Sequence, residues 1–404
     1  MKLTAKHTIL ASYVGYLTQA ITINYAPLLF ITFQKEFDIS LGKISLLIAI
    51  SFLTQLTADI TEAKLGHLIP PRVATVTAHV CAVLGLTGFA YLPNILPSPY
   101  VGLIICTVVA AIGGGIIEVL ISPIVEACPT THKGAAMSLL HSFYSWGFAA
   151  VVLLTTLFFK FVGIEHWRMT AIFWALIPAI GAIAFCFVPI YNLDTINESD
   201  HNTTQKKKSL FKDPVFILFF IMMLSAGAAE QAMAQWASTF AESGLHVEKS
   251  IGDLLGPFAF AVLMGLSRTF YGIRGNRIKL SNFIFLSSIL CILSFIITAA
   301  SPYPLLSLVG CALCGLSVGI MWPGTYSLAT SHISDVGVRM FAYLAFAGDI
   351  GCLLGPTAAG WIAELLGDDL RISFFVSALF PAVLLICLVF LTKSKSTKYN
   401  TRRK

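Results

Sequence analysis

Three carboxylates are set into long apolar runs of the chain. Glu118 stands in Ala110-Ala111-Ile112-Gly113-Gly114-Gly115-Ile116-Ile117-Glu118-Val119-Leu120-Ile121-Ser122-Pro123, Glu230 in Gly227-Ala228-Ala229-Glu230-Gln231-Ala232-Met233-Ala234-Gln235-Trp236-Ala237-Ser238, and Asp349 in Gly348-Asp349-Ile350-Gly351-Cys352-Leu353-Leu354-Gly355-Pro356. An ionisable side chain at bilayer depth costs on the order of 3 kcal/mol or more, so one retained there faces a bundle interior or a wet cavity and is a candidate proton carrier. Glu118, Glu230 and Asp349 are therefore the candidates for coupling a solute to protons. Asp349, beside glycines and near a helix-bending proline, suits packing or gating equally well.

The neighbours of these acids fall on defined faces. At about 100° per residue, Ala111, Gly115, Glu118, Ser122 and Val125 share one side of a helix, narrow and polar around a single acid; the plainer reading is that Gly113 to Gly115 only let helices approach. Around Glu230 the residues Gly227, Gln231, Ala234, Gln235 and Ser238 fall within about 140°, with Met233 and Trp236 opposite. Two amides and an acid on one arc point to a wet wall. The first apolar run offers Tyr16 and Gln19 with Ser12 and Ile23, and Asn24 at the flank. A later one places Gly315, Gly319, Trp322 and Tyr326 within about 60°. Aromatic faces cover C–H surface while amide and acid oxygens take hydroxyl bonds, a combination suited to a neutral polyhydroxylated ligand. Ordinary packing aromatics are the alternative. His79 and His141, lone in apolar runs, read as core residues before proton carriers.

Elements that position these residues must be membrane helices. The 404 residues are 57% hydrophobic and 11% charged, with mean hydropathy +0.83, which excludes a water-soluble globular protein. Twelve segments meet the roughly 20-residue spanning requirement: 8–33, 41–62, 73–92, 100–124, 136–160, 168–190, 214–241, 253–274, 281–300, 303–330, 339–365 and 371–392. With the N-terminus in the cytoplasm, only Lys35, Lys43, Lys160, Arg168, Lys249 and Arg371 of the 26 basic residues fall outside. That asymmetry obeys the positive-inside rule and puts both termini and the central loop in the cytoplasm. It also accounts for the formal charge of +6 without nucleic acid. The apolar run after Met1-Lys2-Leu3-Thr4-Ala5-Lys6 is too long for a cleaved leader and carries Gln19 and Asn24, so it reads as a first helix. The nine cysteines lie in or at the ends of spans, with Cys311 and Cys314 the short-spaced pair, and read as packing residues. No metal centre and no cofactor are expected.

The polar stretch 191–213, with Asn197, Asn202 and Lys206-Lys207-Lys208, divides six spans from six. The acceptor-type asparagines have no use in a cytoplasmic loop, and the lysines serve topology or anionic headgroups. The halves look duplicated: Gly115 and Pro123 meet Gly315 and Pro323 at an offset of 200, and Arg168, Ala175, Leu176, Pro178 and Ala179 meet Arg371, Ala378, Leu379, Pro381 and Ala382 at 203. The expected architecture is all-α: a bundle over 1–190, a linker over 191–213, a second bundle over 214–392, and a basic tail over 393–404, the pseudo-symmetric halves rocking about a midplane site. No Lys or Arg falls mid-span, Arg268 and Arg274 standing at the end of the eighth. The solute is then expected to be neutral or cationic. No phosphate-cradling loop is present, so an ion gradient supplies the energy.

Together these features resemble the major facilitator superfamily over essentially the whole chain. Arg268-Thr269-Phe270-Tyr271-Gly272-Ile273-Arg274-Gly275-Asn276-Arg277 resembles its basic loop after the eighth helix, which implies a gating role for Arg268, Arg274 and Arg277. The stretch Glu62 to Arg72 after the second helix departs from the usual Gly-x-x-x-Asp-x-x-Gly-Arg pattern. Within the superfamily the chain resembles the fucose-galactose-proton symporter family: Gly115-Ile116-Ile117-Glu118 with Ser122-Pro123 is similar to its fourth-helix acid motif, Leu140-His141-Ser142-Phe143-Tyr144 to its fifth-helix stretch, and Glu230 to Trp236 to a seventh-helix segment. The resemblance implies that Glu118 carries the substrate-linked proton, and His141, in the matching fifth-helix stretch, is a candidate for the binding wall. The first helix of fucose permease holds an acid where this chain offers Gln19 and Asn24. The resulting expectation is a monomeric multi-pass protein of the plasma or inner membrane that takes up a sugar or polyol with a proton. Its solute wall is Tyr16, Gln19, Asn24, Glu118, Ser122, His141, Glu230, Gln231, Gln235, Trp322 and Tyr326. The rival is a proton-coupled exporter of lipophilic cations. Antiporters of the superfamily carry Gly-x-x-x-Gly-Pro in the fifth span, whereas here Gly351 to Pro356 places it in the eleventh. A sensor that binds without transport is the third reading. An enzyme is disfavoured, since no nucleophile with a base or metal cluster occurs in the loops.

Overall fold

The computed structural model describes residues 3–65, 68–130, 133–191, 210–274, 278–333 and 338–401. Among them, twelve helices are long and apolar enough to cross a bilayer: α1 (Ala5–Phe37), α2 (Leu41–Thr61), α3 (Pro71–Ile95), α4 (Pro99–Ala127), α5 (Leu139–Val162), α6 (Ile164–Phe187), α7 (Pro214–Gly244), α8 (Lys249–Tyr271), α9 (Leu280–Ala300), α10 (Pro304–Thr330), α11 (Ala342–Leu365) and α12 (Leu370–Thr392). Local chemistry sets many of the starts. Pro71, Pro99, Pro214 and Pro304 occupy first-turn positions where a missing N–H goes unnoticed. Asp213, Glu248 and Asp369 cap α7, α8 and α12 by accepting from backbone N–H groups. Several helices run beyond the spans read from hydropathy, α1 and α8 among them. α1 reaches Phe37, past a 3-10 turn at Ala26–Leu29 that absorbs Pro27, and α8 begins at Lys249 rather than 253, with a π turn over Leu254–Phe258 accommodating Pro257.

The packing repeats itself. α1 lies against α4, α5 and α6, α2 against α4, and α3 against α4 and α6; adding six to each number gives the contacts of α7 to α12. The bundles meet mainly through α2 with α11 and α5 with α8, two pairs that the same rule exchanges. The sequence duplication is thus a duplication of packing. Arg168 and Arg371, paired by sequence, each reach back from the sixth helix of a bundle to the end of the third, at Asn94 and at the Ala299 and Ser301 carbonyls. Small residues permit the closest approaches. A Cβ at Gly113 would sit 2.5 Å from the Ala78 carbonyl of α3, and one at Gly351 would strike the Leu224 carbonyl of α7.

The two bundles touch on the side away from the termini. There Lys35 of α1 pairs with Glu242 of α7 at 3.1 Å, Phe30 of α1 packs on Trp236 of α7 with centroids 5.6 Å apart, and Thr156 of α5 donates to Asp253 of α8 at 3.4 Å. In the half toward the termini the walls part around a chamber.

Candidate functional site

The chamber has a volume of about 690 Å³ and reaches Thr269 and Tyr271 in the last turn of α8. Eight helices contribute to it, four from each bundle: α1, α2, α4 and α5, and α7, α8, α10 and α11. Its polar wall comprises Gln19, Gln55, Asp59, Glu118, His141, Ser142, Glu230, Gln231, Arg268 and Asp349, and its aromatic wall Tyr16, Phe52, Tyr144, Tyr271, Trp322 and Tyr326. Such a volume suits a small solute, and a mostly apolar wall with a few convergent polar groups is the usual form of a ligand site.

Of the solute wall drawn from sequence, Tyr16, Gln19, Glu118, His141, Glu230, Gln231, Trp322 and Tyr326 line the chamber. The other three stand one layer behind. Ser122 shares a 2.8 Å hydrogen bond with the Tyr16 hydroxyl, Asn24 donates to the Ala20 carbonyl at 2.9 Å and to the Tyr144 hydroxyl at 3.4 Å, and Gln235 donates to Gln231 Oε1 at 3.2 Å. They hold wall residues rather than form the wall. Gly315 and Gly319 do not line the chamber beside Trp322 and Tyr326: they pack on Phe260, Met264 and Ser267 of α8. The four residues share a side in angle but not in height: the glycines come about a turn or more earlier along α10, at roughly 1.5 Å per residue, where α8 packs against it. The glycines Gly113 to Gly115 take the plainer role, each touching another helix.

Glu118 is within hydrogen-bonding reach of the Gln19 amide and lies in the electrostatic field of Asp59 and Asp349. Asp59 went unnoticed in the sequence, where it follows Leu56-Thr57-Ala58 and looks like the polar end of α2. Its Oδ1 is buried without a hydrogen-bond partner. Gln55 and Asp59 are four residues apart and therefore on one helix face, the signal that could have found both. Like charges in one low-dielectric space repel, and a proton or a cationic group relieves them.

Arg268 overturns the expectation of cation-free spans. Its Cα sits near the end of α8, but its side chain runs into the chamber wall: Nη2 donates to Glu230 Oε2 at 3.3 Å, Nη1 to Ser145 Oγ at 3.0 Å, and Nε to the Gly319 carbonyl at 3.3 Å. A long side chain carries its charge a turn or more from its backbone, which residue counting does not register. The side chain of Arg274 and all of Arg277, the other two gating candidates, lie outside the described residues. His141 faces Tyr16 edge-on with centroids 5.2 Å apart, in the chamber. His79 is fully buried between α3 and α6, bonded to the Thr75 carbonyl at 2.8 Å and packed on Gly181 and Phe185, as a core histidine.

A chamber between two six-helix repeats is the form of a carrier, and the sequence profile of the Major Facilitator Superfamily matches residues 10–356 and again 259–404. The chain belongs to that superfamily. It is a multi-pass membrane transporter, not an enzyme. Among curated relatives, Membrane protein MosC of Rhizobium meliloti is 25% identical over 281 residues, 68% of this chain; the match spans 65% of that relative's length. Solved structures that the transporter resembles include a D-xylose-proton symporter (TM-score 0.76, 12% identity, 95% of this chain and 96% of that one), the nucleoside transporter NupG (0.70, 15%, 96% and 99%) and the E. coli fucose:proton symporter FucP (0.63, 16%, 95% and 98%). At these identities the likeness is one of fold.

Proposed function

We propose that the transporter imports a small neutral polyhydroxylated solute, a sugar or polyol, together with a proton, by alternating access. The observation that carries this reading is the composition of the chamber wall: aromatic rings from both bundles beside the amides of Gln19, Gln55 and Gln231. Rings cover the C–H faces of such a solute while amides and carboxylates satisfy its hydroxyls, and neither bundle supplies the whole set. The D-xylose-proton and fucose:proton symporters share this fold, which is consistent with sugar and proton but does not choose them. Glu118 would take the proton, because a carboxylate that reorients across the midplane crosses at lower cost when neutral. Termini in the cytoplasm, as the basic residues argue, make the described arrangement inward-facing.

The test is uptake of labelled D-xylose, D-galactose and D-sorbitol into proteoliposomes under an imposed pH gradient. Accumulation of at least one above its equilibrium level, abolished by a protonophore, is the expected result; no gradient-driven accumulation of any would sink the reading. A second reading rests on charge: four acids line the chamber against one arginine. That excess suits a lipophilic cation moved outward in exchange for protons. Cells overproducing the transporter would then resist cationic drugs such as tetraphenylphosphonium, while the sugar reading expects unchanged susceptibility.

A further inference from the structure

The four chamber acids fall into two environments. Glu230 of α7 is met by Arg268 of α8, by Tyr144 of α5, by Cys314 of α10 and by Cys352 of α11, and Arg268 is the cation among them. Glu118 is met by Asp59, Asp349, Gln19, the Cys352 thiol and the phenols of Tyr16, Tyr144 and Tyr326; His141, edge-on to Tyr16, lines the same chamber, and no Lys or Arg faces the set among the described residues. Arg268 is itself held from three directions. Its bonds to Ser145, Glu230 and the Gly319 carbonyl come from α5, α7 and α10, and Ser145 is fully buried in the other bundle. Five N–H donors with three engaged make a guanidinium that is fixed in place beside Glu230.

We propose that Arg268 is a positioning residue that keeps Glu230 charged and thereby assigns the transported proton to the carboxylates that face one another, Glu118 with Asp59 and Asp349. Burial works against the charge of every carboxylate here; a fixed cation at 3.3 Å opposes that cost at Glu230, whereas three carboxylates without one add mutual repulsion to it and relieve both by binding a proton. The proton arrives from water on one side, bonds to a carboxylate oxygen of that set, and leaves from the same oxygen to water on the other. Glu230 is thereby taken out of the group of proton carriers that the sequence indicated and becomes a permanent acceptor for solute hydroxyls, oriented by Arg268. The inference rests on the proton-coupled reading above, but its test contains no solute, so uptake and spectra can fail independently.

The experiment is infrared titration of the protein in liposomes from about pH 5 to about pH 9, following the C=O stretch that only a protonated carboxyl gives. The band given by the unsubstituted protein is expected to shrink in Glu118→Gln and to persist in Glu230→Gln. Arg268→Gln should gain an additional protonated-carboxyl band, absent both from the double variant Arg268→Gln/Glu230→Gln and from Arg268→Lys, which restores a cation. An Arg268→Gln spectrum that superimposes on the unsubstituted one overturns the assignment. So does loss of a protonated band in Glu230→Gln, a comparison that stands even where Arg268→Gln does not fold.

Discussion

Asp253, in the first turns of α8, and Asp59, near the termini side of α2, are both carboxylates inside membrane-spanning helices, and they are provided for in opposite ways. Asp253 is 1% exposed and accepts from Ser238 Oγ at 2.5 Å, Lys249 Nζ at 3.2 Å and Thr156 Oγ1 at 3.4 Å, with Glu242 and Lys35 extending the network. Asp59 has an oxygen without a partner and two other carboxylates in its field. The contrast teaches that depth in the membrane does not by itself mark a working acid. An acid with both oxygens bonded is a joint, and one left short beside like charges is where a proton or solute fits.

The largest effect expected from this contrast is on the under-provided side. Glu118→Gln should abolish gradient-driven accumulation of any solute the protein transports while leaving exchange of that solute across the membrane. Its thermal midpoint should be unchanged or higher, because one of three repelling charges is gone. Uptake and thermal unfolding of the same preparation read both. A variant that unfolds instead would make Glu118 a joint of the Asp253 kind, and the contrast would fail.

On the provided side the large effect is on stability. Asp253→Ala strands Lys249 with Glu242 at 3.7 Å as its nearest described anion, and breaking a buried pair in this way costs about 3–5 kcal/mol. Denaturant or thermal unfolding in detergent should show that loss. A midpoint equal to that of the unsubstituted protein would mean that the network contributes little.

Gly348→Ala gives a smaller effect on the chamber itself. A methyl there would overlap the six-membered ring of Trp322, so the indole must swing into the chamber. Overpacking of this kind costs about 1–3 kcal/mol. If about 1.4 kcal/mol of that is paid on binding, solute affinity falls about tenfold. Equilibrium binding measured beside Trp322→Phe would show whether the displaced ring is responsible: the alanine effect should shrink in the phenylalanine background.

Much of this arrangement was legible in the chain, for identifiable reasons. Twelve spans and their two-fold repetition follow from hydropathy and from recurrent Gly, Pro and Arg positions, because lipid enforces helices and packing enforces small residues at fixed sites. Glu118, Glu230 and Asp349 stand out because each is surrounded by apolar sequence. Asp59 and Asp253 do not, since each lies near a span end among polar residues, where sequence cannot distinguish a headgroup-facing acid from an inward-facing one. Arg268 was misplaced for a related reason: sequence fixes its Cα, and the chemistry occurs at the far end of a long side chain. The division of the wall from its supporting layer, Gln231 before Gln235 and Tyr144 before Asn24, depends on helix rotation finer than a 100° rule resolves.

The smallest effect tests the link between the regions. Of the three donors to Asp253, Ser238 and Lys249 belong to the same bundle, and Thr156 alone comes from the other. Thr156→Val keeps the shape and removes that bond, so Asp253 remains satisfied and the fold should lose about 1 kcal/mol or less. The loss is not shared equally by the conformations of the cycle. Arrangements with the side opposite the termini closed lose the bond, whereas arrangements with that side open never had it. A difference of about 1 kcal/mol between two states moves their ratio about fivefold toward the open one. Spin labels at Lys43 of α2 and at the exposed Tyr303, between α9 and α10, in a background with Cys186 changed to serine, read the separation of the bundles on that side. The fraction at longer distance should rise in Thr156→Val and return when serine, which restores the hydroxyl, replaces valine. An unchanged distribution would confine Asp253 to stability within its own bundle and leave the closing of that side to Lys35 with Glu242 and to Phe30 with Trp236.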